Sequence, residues 1–467
     1  MAELSPSQSV ALAEILSGAC GFLTGSAGTG KSFVLREAVA KLRESRHVVV
    51  TATTGIASVL CEGVTIHSVF KLFPDDSRKT LEEWIRVATT RVRTNRFFRA
   101  DLRKINTLVI DEVSMMDPEA FAVIDACMQT AKGSGAPFGG IQLILVGDFC
   151  QLPAVQKSCF LFEKPLFWNS IDRMWELKEI WRQRDPVFCG ILQRARFAEN
   201  TLEDMEILRS RVGRVSTSQL IPTRMFSKNV DVDTINNSEL KKLGGTMVEF
   251  HATCEKFSAP GISDPQKLIL QGHATTLLKN LTLAQTMSLC VGSQIMLAFN
   301  MDTSSGLVNG SRGVVVDFRV PEDRDVSDNF MKKYTDAEKS RGEGKMCYPK
   351  LPLPVVQFSD GRKILIPYAR WSRTSELGEA FVWQIPLRLA WASTIHRSQG
   401  ATLEVAEIAI DSSVFEAGQA YVALSRVHDL ESLCLSSFDP FAIRANDKVK
   451  AFYGRPFELQ RREFLGI

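Results

Sequence analysis

Short apolar runs recur along the first third of the chain, at positions 20–23, 48–52, 108–110 and 142–146. Each run is too short for a helix and contains no charged residue, which is typical of strands buried on both faces. Between the first two runs lies a stretch with apolar residues at helical spacing, 33–43. This alternation predicts a βαβ unit and a parallel sheet.

The second half shows a similar pattern together with a region of short strands. Core elements are predicted at 223–243, 291–300, 385–411 and 420–427. Short strand patterns with turn signals lie at 313–320, 354–358 and 362–367. We interpret these as a small β-barrel inserted in a second core domain. The stretch 319–350 is dense in charges of both signs and predicts an exposed loop or hairpin.

Length and composition indicate a globular protein of several domains. At 467 residues, with 45% hydrophobic and 23% charged residues, the chain is too long for one ordinary core. No apolar run approaches the roughly 20 residues needed to span a bilayer, so no membrane partner is expected. The net charge of +3 is nearly balanced, and composition by itself does not indicate a nucleic-acid partner.

Two local features bear on the cellular location. The first thirty residues contain neither Lys nor Arg and include Glu3 and Glu14, which argues against a signal or transit peptide. The ten cysteines are scattered without a C-x-x-C pair, so they predict neither a zinc site nor a disulfide framework. We expect an intracellular protein, in the nucleus or mitochondrion of a eukaryote or the cytoplasm of a bacterium.

A phosphate-binding loop follows the first apolar run. Residues 25–32 have the sequence GSAGTGKS, which fits G-x-x-x-x-G-K-[ST] at every fixed position. Its glycines allow successive N–H groups to point inward, and Lys31 and the Ser32 hydroxyl would reach the phosphates and a Mg²⁺ ion. A glycine-rich turn that binds nothing is the alternative. The predicted nucleotide-binding residues here are Gly25, Ser26, Ala27, Gly28, Thr29, Gly30, Lys31 and Ser32.

Two adjacent carboxylates end the strand predicted at 108–110. Asp111 would hold Mg²⁺, and Glu112 would orient and deprotonate an attacking water. A D-E pair occurs often by chance. Because this pair ends a buried strand downstream of a phosphate loop, it is strong evidence for these two roles.

Other polar residues fall near the ends of predicted elements. Gln8 lies in the first turn of a helix that Ser5 caps, where its amide can contact an adenine edge or simply face solvent. Gln151 follows the strand at 142–146 and can contact the γ-phosphate. Arg182 lies at the end of the first core domain, either as a cation facing nucleotide across a cleft or as a surface residue.

Two regions favour contact with nucleic acid. Thr and Ser cluster at 51–58 and 65–70, at the predicted carboxyl end of a strand, although such turns are common. From Arg86 to Lys104 basic residues alternate with Phe97 and Phe98, a combination that suits phosphate contacts and base stacking. The alternative is a solvated helix whose phenylalanines face a core, and for the phenylalanines we favour it.

The order of these motifs is similar to that of superfamily-one helicases, and more narrowly resembles the PIF-one (petite integration frequency) family. The resemblance covers nearly the whole chain. It is carried by GSAGTGKS, TATTGIAS with TIHSVF, LVIDEVSMMD, PFGGIQLILVGDFCQLPAV, WRQRD, LVNGSRGVV, LAWASTIHRSQGATL and YVALSRV. Trp181, Cys150, Ala154 and Arg397 depart from the family pattern, but none removes a chemical group from the nucleotide site.

The resemblance implies a role for each matching residue. Gln8 would contact adenine, and Lys31, Ser32, Asp111 and Glu112 would serve phosphate, metal and water. Gln151 would sense the γ-phosphate, Arg182 and Arg426 would act as arginine fingers, and Gln399 and Gly400 would lie near the phosphates. The implied DNA contacts are Thr53, Thr54, Thr65, His67, Ser68, Phe70, Asn309, Thr394 and His396.

The expected fold is α/β, with two RecA-like parallel-sheet core domains, a small inserted wedge domain and an inserted SH3-like β-barrel. The first core domain would span 1–185, with the wedge at about 70–104. The second would span 186–467, with the barrel at about 311–384.

The resemblance implies an ATP- and Mg²⁺-dependent 5′-to-3′ DNA helicase, monomeric in solution. Its partners would be single-stranded DNA and partial duplex, forked or G-quadruplex DNA. An ATP-driven translocase that strips proteins from nucleic acid shares every motif. A nucleotide-switched scaffold is a further alternative, against which an intact Glu112 and two candidate arginine fingers count.

Overall fold

This computed structural model describes residues 4–466 except 54–63, 74–75, 77–78, 155–158, 184, 215–221, 260, 281–282, 299–300, 303–304, 306, 308–310, 322–351, 359, 376–377, 400–402 and 404. The described part divides into two compact units. The first unit comprises Met1–Asn229 and Ser393–Ile467, and the second comprises Val230–Ala392.

The helices are α1 (Pro6–Leu16), α2 (Lys31–Arg43), α3 (Ile66–Val69), α4 (Leu81–Thr94), α5 (Arg96–Lys104), α6 (Pro118–Lys132), α7 (Pro165–Ser170), α8 (Pro186–Phe197), α9 (Leu202–Arg209), α10 (Asn229–Lys242), α11 (Asp264–Asn280), α12 (Gln419–Leu424), α13 (Asp447–Tyr453) and α14 (Phe457–Leu465). Short 3₁₀ turns also occur, among them Val113–Met115 and His396–Ser398.

The strands are β1 (Gly21–Gly25), β2 (Val48–Ala52), β3 (Val64–Thr65), β4 (Thr107–Asp111), β5 (Gln142–Val146), β6 (Arg173–Leu177), β7 (Thr223–Phe226), β8 (Val248–His251), β9 (Thr253–Ser258), β10 (Thr286–Leu289), β11 (Gln294–Leu297), β12 (Arg312–Arg319), β13 (Leu353–Phe358), β14 (Lys363–Leu365), β15 (Ala369–Ser375), β16 (Gly378–Gln384), β17 (Leu387–Leu389), β18 (Ala392–Thr394), β19 (Ala406–Ile410) and β20 (Leu433–Phe438).

The first unit contains a six-stranded sheet with the order β3-β2-β4-β5-β1-β6, and its paired strands are all parallel. β1, β4 and β5 are buried along their whole length, which explains their unbroken apolar runs. Because parallel strands end at one edge, the loops that follow β1, β4 and β5 meet there. The predicted parallel-sheet core is confirmed.

A second sheet in the same unit has the order β18-β7-β19-β20, and β19 is parallel to both β7 and β20. The C-terminal helices also pack on the first sheet. Phe452 of α13 lies 5.5 Å from Phe149 and 4.5 Å from Phe162, measured between ring centroids. Truncating an aromatic in such a core costs about 3–5 kcal/mol. The last helices are therefore anchored beside the loop that follows β5.

The predicted wedge region forms α4 and α5, which pack on α6. Trp84 and Val92 of α4 and Phe98 of α5 are buried in the core, whereas Phe97 is 82% exposed. The phenylalanines thus differ, because adjacent residues of a helix lie about 100° apart around its axis. The favoured interpretation, in which both face a core, is correct for Phe98 and wrong for Phe97.

The second unit is mainly antiparallel β-structure. A five-stranded sheet has the order β14-β13-β12-β11-β17, and β15, β16 and β9 form a three-stranded sheet. The three predicted short strands correspond to β12, β13 and β14. The sheet also takes β11 and β17 from outside the predicted barrel range of 311–384, so that range is narrower than the observed β-structure. Most of the charged stretch 319–350 lies outside the described residues.

Candidate active site

The phosphate-loop sequence connects β1 to α2, and its glycines are required by geometry. Gly28 and Gly30 have positive φ values of 86° and 82°. A Cβ on Gly28 would lie 2.5 Å from Gln183 Oε1, and one on Gly30 would lie 2.6 Å from Gln8 Nε2. A side chain at either position would clash, so the loop is closely enclosed by neighbouring protein.

Lys31 lies inside this loop. Its Nζ donates hydrogen bonds to the carbonyl oxygens of Gly25, at 2.8 Å, and Ser26, at 3.0 Å. Burial lowers the pKa of the Lys31 ammonium, and the nearby carboxylates of Asp148 and Glu112 partly oppose that effect. A half-buried cation at a helix N-terminus is suited to bind phosphate oxygens.

Asp111 and Glu112 stand at the end of β4, as predicted. Asp111 is 8% exposed and its Oδ1 accepts a 2.8 Å hydrogen bond from the Glu112 N–H. Burial, followed by the charge of Glu112, raises the pKa of Asp111 to about 7. A cation bound beside Asp111 would favour its ionised form.

The residues present fit a Mg²⁺ ion. The carboxylate of Asp111 and the hydroxyl of Ser32 supply hard oxygen ligands. The described part of the chain contains no cluster of three or more His, Cys, Asp or Glu side chains that could hold a metal. An ion here would complete its coordination with water and substrate phosphates, which is the usual arrangement for Mg²⁺.

Gln399, which follows the 3₁₀ turn His396–Ser398 just after β18 of the second sheet, contacts Glu112 directly. Gln399 Nε2 donates to Glu112 Oε2 at 3.0 Å, and the Gln399 side chain is 4% exposed. Its Oε1 has no hydrogen-bond partner among the described residues. The second sheet therefore supplies an oriented amide to the carboxylate predicted to activate water.

Arg182 and Arg426 meet at Ser425. Arg182 Nη1 donates to the Ser425 carbonyl at 3.3 Å, and Arg426 Nη2 donates to Ser425 Oγ at 2.8 Å. Burial, followed by the charge of Arg182, lowers the pKa of Arg426 to about 9. Two guanidiniums enclosed together destabilise each other, and an anion between them would relieve that cost.

The turn after β5 places Gln151 beside α12. Gln151 is 5% exposed, and its N–H donates to the Asp148 carbonyl at 2.9 Å. Gly418, just before α12, has a φ of 81°, and a Cβ there would lie 2.3 Å from the Cys150 carbonyl oxygen. The helix that leads to Arg426 therefore begins in direct contact with the turn that carries Gln151.

Gln8 lies beside the loop, and both ends of its amide are engaged with protein. Oε1 accepts from the Ser5 N–H at 3.0 Å, which forms the predicted cap of α1, and Nε2 donates to the Thr29 carbonyl at 3.2 Å. An adenine contact would exchange one of these partners. That role of Gln8 stays a prediction.

Several predicted DNA-contact residues keep accessible side chains. Thr65 Oγ1 and Ser68 Oγ are 2.7 Å apart, and His67 beside them is exposed although partial burial lowers its pKa. The His396 ring stacks against Phe415, with centroids 6.3 Å apart and planes at 19°. Phe415 is 54% exposed and was not predicted from the sequence. We call Thr53, Thr65, His67, Ser68, His396 and Phe415 the strand-contact residues.

Two DNA-contact predictions need correction. Phe70 is 1% exposed and belongs to the hydrophobic core, so its ring supports α3 rather than meeting a strand. Thr394 is 4% exposed, so its side chain is also too buried to contact a DNA strand. Burial could not be inferred from their motifs, which place them next to accessible residues. Thr54, Asn309 and Gly400 lie outside the described residues.

Sequence reasoning missed the buried groups behind the loop. Arg196, Tyr421 and Tyr453 each donate a hydrogen bond to the buried Asp148 carboxylate, and Gln183 Nε2 donates to the Val427 carbonyl at 3.2 Å. A weak signal existed for Asp148, which comes two residues after the buried strand β5, much as Asp111 ends the buried strand β4. Tyr421 lies five positions before Arg426, but nothing local indicates its partner.

Within the described residues, no helix has the length and apolar character needed to cross a membrane.

Residues 3–202 match the sequence profile of the PIF1-like helicase family, and residues 273–318 match that of the DNA helicase Pif1 2B domain. The chain is 35% identical over 459 residues to the ATP-dependent DNA helicase PIF1 of Danio rerio. This similarity covers 97% of the chain but 64% of the Danio rerio protein. The chain thus spans a little less than two thirds of that relative.

Solved structures are similar over almost the whole chain. The crystal structure of Pif1 helicase from Candida albicans matches with a TM-score of 0.81 and 32% identity, covering 97% of this chain and 99% of that chain. The crystal structure of Bacteroides Pif1 bound to ssDNA matches with a TM-score of 0.70 and 25% identity, covering 97% of both chains.

Proposed function

The chain belongs to the PIF1-like helicase family, and from this premise we propose that it is an ATP-dependent DNA helicase. The observation that carries the proposal is the convergence of two sheets on one phosphate loop. The first sheet contributes Lys31 and Glu112, and the second contributes Gln399, 3.0 Å from Glu112. A binding scaffold has no need of a carboxylate that a buried amide holds in orientation.

For hydrolysis, the loop N–H groups and Lys31 bind the β- and γ-phosphates. Glu112 accepts a proton from a water that attacks the γ-phosphorus, and the bond to the ADP oxygen breaks. Gln399 holds the Glu112 carboxylate in orientation through its amide. Arg182 and Arg426 balance the charge that develops on the phosphates. Mg²⁺, held by Asp111 and Ser32, would supply further charge stabilisation to the phosphate oxygens.

Hydrolysis is coupled to movement through contacts between the two sheets of the first unit. The bonds of Arg182 to Ser425 and of Gln399 to Glu112 join them. Loss of the γ-phosphate removes the anion that offsets the buried Arg426 and the half-buried Arg182, which favours a more open arrangement. If the protein binds a DNA strand tightly and weakly in alternation as it opens and closes, each cycle would move it one step along the strand.

Single-stranded DNA is the proposed track. The relative from Bacteroides was solved bound to ssDNA. The exposed face of Phe415, stacked on His396, suits a base, and the hydroxyls of Thr65 and Ser68 suit phosphates. These contacts predict little sequence preference and a strong dependence on salt.

Family membership and the exposed residues of α5 support a proposal about polarity and substrates. We propose 5′-to-3′ movement and unwinding of partial duplex, forked and G-quadruplex DNA by a monomer inside the cell. Exposed Phe97, among the arginines of α4 and α5, would serve as the wedge at a duplex junction. The β-structure of the second unit would guide the strand.

Strand displacement on two matched partial duplexes, one with a 5′ tail and one with a 3′ tail, tests this function. The Lys31→Ala variant, which should not hydrolyse ATP, serves as the negative control. We expect ATP-dependent opening of the 5′-tailed duplex alone. Opening of the 3′-tailed duplex would contradict the polarity. Hydrolysis stimulated by single strands without opening of either duplex would favour a translocase.

A further inference from the structure

A buried carboxylate lies behind the phosphate loop. Asp148 is fully buried, and Arg196, 6% exposed, donates to Asp148 Oδ1 from Nη2 at 3.0 Å and to Oδ2 from Nε at 3.2 Å. The Cys150 N–H also donates to Oδ1, at 3.1 Å. Burial opposes ionisation of Asp148, but the charges of Arg196 and Lys31 outweigh it and lower its pKa. Asp148 is therefore a carboxylate that needs hydrogen-bond donors.

Two tyrosines supply further donors. The Tyr421 hydroxyl donates to Asp148 Oδ2 at 3.4 Å, and the Tyr453 hydroxyl donates to Oδ1 at 3.2 Å. Burial, followed by the charge of Asp148, raises the pKa of both phenols. Both therefore remain protonated and keep their donor role.

Each phenol oxygen also accepts a bond from the first sheet, but at different places. Tyr421 Oη accepts from the Ala27 N–H, inside the phosphate loop, at 2.7 Å. Tyr453 Oη accepts from the Phe149 N–H at 3.1 Å and lies 2.8 Å from Thr24 Oγ1. The Thr24 hydroxyl is the donor in that pair, because the Tyr453 proton is directed to Asp148. Only Tyr421 of these two contacts the loop itself.

Tyr421 is also tied to an arginine of the active site. The Tyr421 carbonyl accepts from the Ser425 N–H at 3.0 Å, and Arg426 Nε donates to the Val422 carbonyl at 2.7 Å. These bonds hold Arg426 to the last turn of α12 and fix its distance from Tyr421. Among the described residues, Tyr453, on α13, forms no comparable bond to the turn that carries Arg426.

We propose that Tyr421 is a positioning residue for ATP hydrolysis, whose hydroxyl holds the phosphate loop at Ala27 and so sets the position of Arg426 relative to the phosphates. Asp148 and Arg196 orient that hydroxyl. The proposal rests on the proposed hydrolytic function. It adds the chain of hydrogen bonds that connects the phosphate loop to Arg426, which follows α12.

The kinetic consequence differs from that of a structural residue. Without its hydroxyl, Tyr421 still fills its space, but α12 loses its bond to the loop. A small displacement of a charged group from its transition-state position lowers the rate of the chemical step by factors up to about 100 while leaving ground-state binding nearly unchanged. Loss of the Tyr421 hydroxyl should therefore lower kcat and leave KM for ATP nearly unchanged.

The test compares Tyr421→Phe with Tyr453→Phe in steady-state ATP hydrolysis with saturating single-stranded DNA. Both variants remove one phenol donor from Asp148, so both should lower the melting temperature. We expect Tyr421→Phe to lower kcat about tenfold with KM for ATP within about twofold of wild type. Tyr453→Phe should keep the wild-type kcat. Unchanged kcat in Tyr421→Phe, or equal losses in both variants, overturns the proposal.

A double-mutant cycle supplies an independent measurement. If Tyr421 acts through Arg426, then Tyr421→Phe combined with Arg426→Ala should hydrolyse ATP no more slowly than Arg426→Ala alone. Additive losses would overturn the proposal. A wild-type protein that hydrolyses no ATP, with or without DNA, would instead overturn the proposed function, so the two failures are distinguishable.

Discussion

The nucleotide site and the strand-contact residues lie in the same unit but are held in different ways. Around the phosphate loop, side chains are buried or half-buried and joined by hydrogen bonds, such as Gln399 to Glu112 at 3.0 Å. Most of the strand-contact residues are more exposed, and Phe415 is 54% exposed; Thr53 is the member that also bonds to the nucleotide site, through the Glu112 carbonyl at 3.0 Å. Hydrolysis requires fixed atoms, whereas movement along a strand requires contacts that form and release.

The largest expected effect comes from Lys31→Ala, in the nucleotide site. Removing the cation bound within the loop should lower ATP hydrolysis by about 10⁴-fold or more, because Lys31 is the positive charge that contacts the β- and γ-phosphates from inside the loop. Affinity for single-stranded DNA should stay near wild type in a fluorescence titration. Lys41→Ala, exposed on the same helix, is the control. Wild-type turnover in Lys31→Ala would refute the phosphate-loop assignment.

Glu112→Gln should separate binding from chemistry. The amide keeps the shape of the side chain but accepts a proton poorly, so kcat should fall about 10³-fold while ATP and Mg²⁺ still bind. Single-turnover hydrolysis and a nucleotide-binding titration measure the two quantities. The control is Glu44→Gln, exposed just beyond α2. Normal hydrolysis would remove Glu112 as the general base.

Gln399→Ala tests whether the second sheet orients that base. Losing its hydrogen bond to a charged group should lower kcat roughly 10- to 100-fold, because Glu112 then adopts several orientations. Gln271→Ala, exposed on α11 in the second unit, should leave kcat unchanged. A Gln399→Ala variant with the wild-type kcat would mean that the contact has no part in hydrolysis.

The smallest effect is expected among the strand-contact residues. Phe415→Ala should weaken binding of single-stranded DNA about tenfold, the usual loss of one stacked base, with basal ATP hydrolysis unchanged. Phe441→Ala, which removes an aromatic 87% exposed in the same unit, is the matched control. Equal affinities in both variants would show that Phe415 is not a stacking site. A loss of basal hydrolysis would contradict the separation of the two regions.

The sequence predicted regular buried elements well. β2 and β5 have the predicted bounds, because strands buried on both faces are unbroken apolar runs. The sequence did not predict side-chain exposure correctly where one motif contains both buried and exposed residues. Phe70 was assigned to DNA beside His67, and Phe97 and Phe98 were treated alike, since local pattern does not reveal what packs above a short helix.

The predicted domain bounds of 1–185 and 186–467 remain predictions. The second unit begins at Val230 and ends at Ala392, so its β-structure extends on both sides of the predicted barrel. The strand predicted at 291–300 corresponds to β11, but β11 pairs antiparallel with β12 and β17 in the second unit rather than in a second core sheet. Their pairing in the sheet depends on long-range register.

By itself, the sequence determined the phosphate loop, the carboxylates at the end of β4 and the arginine candidates. These depend on residues close together in the chain, where spacing fixes chemistry. Only the tertiary structure decided that Gln399 meets Glu112, and that Tyr421 links Asp148 to Ala27. Such contacts join residues hundreds of positions apart. They form because buried polar groups must find hydrogen-bond partners, and those partners are chosen by packing rather than by sequence distance.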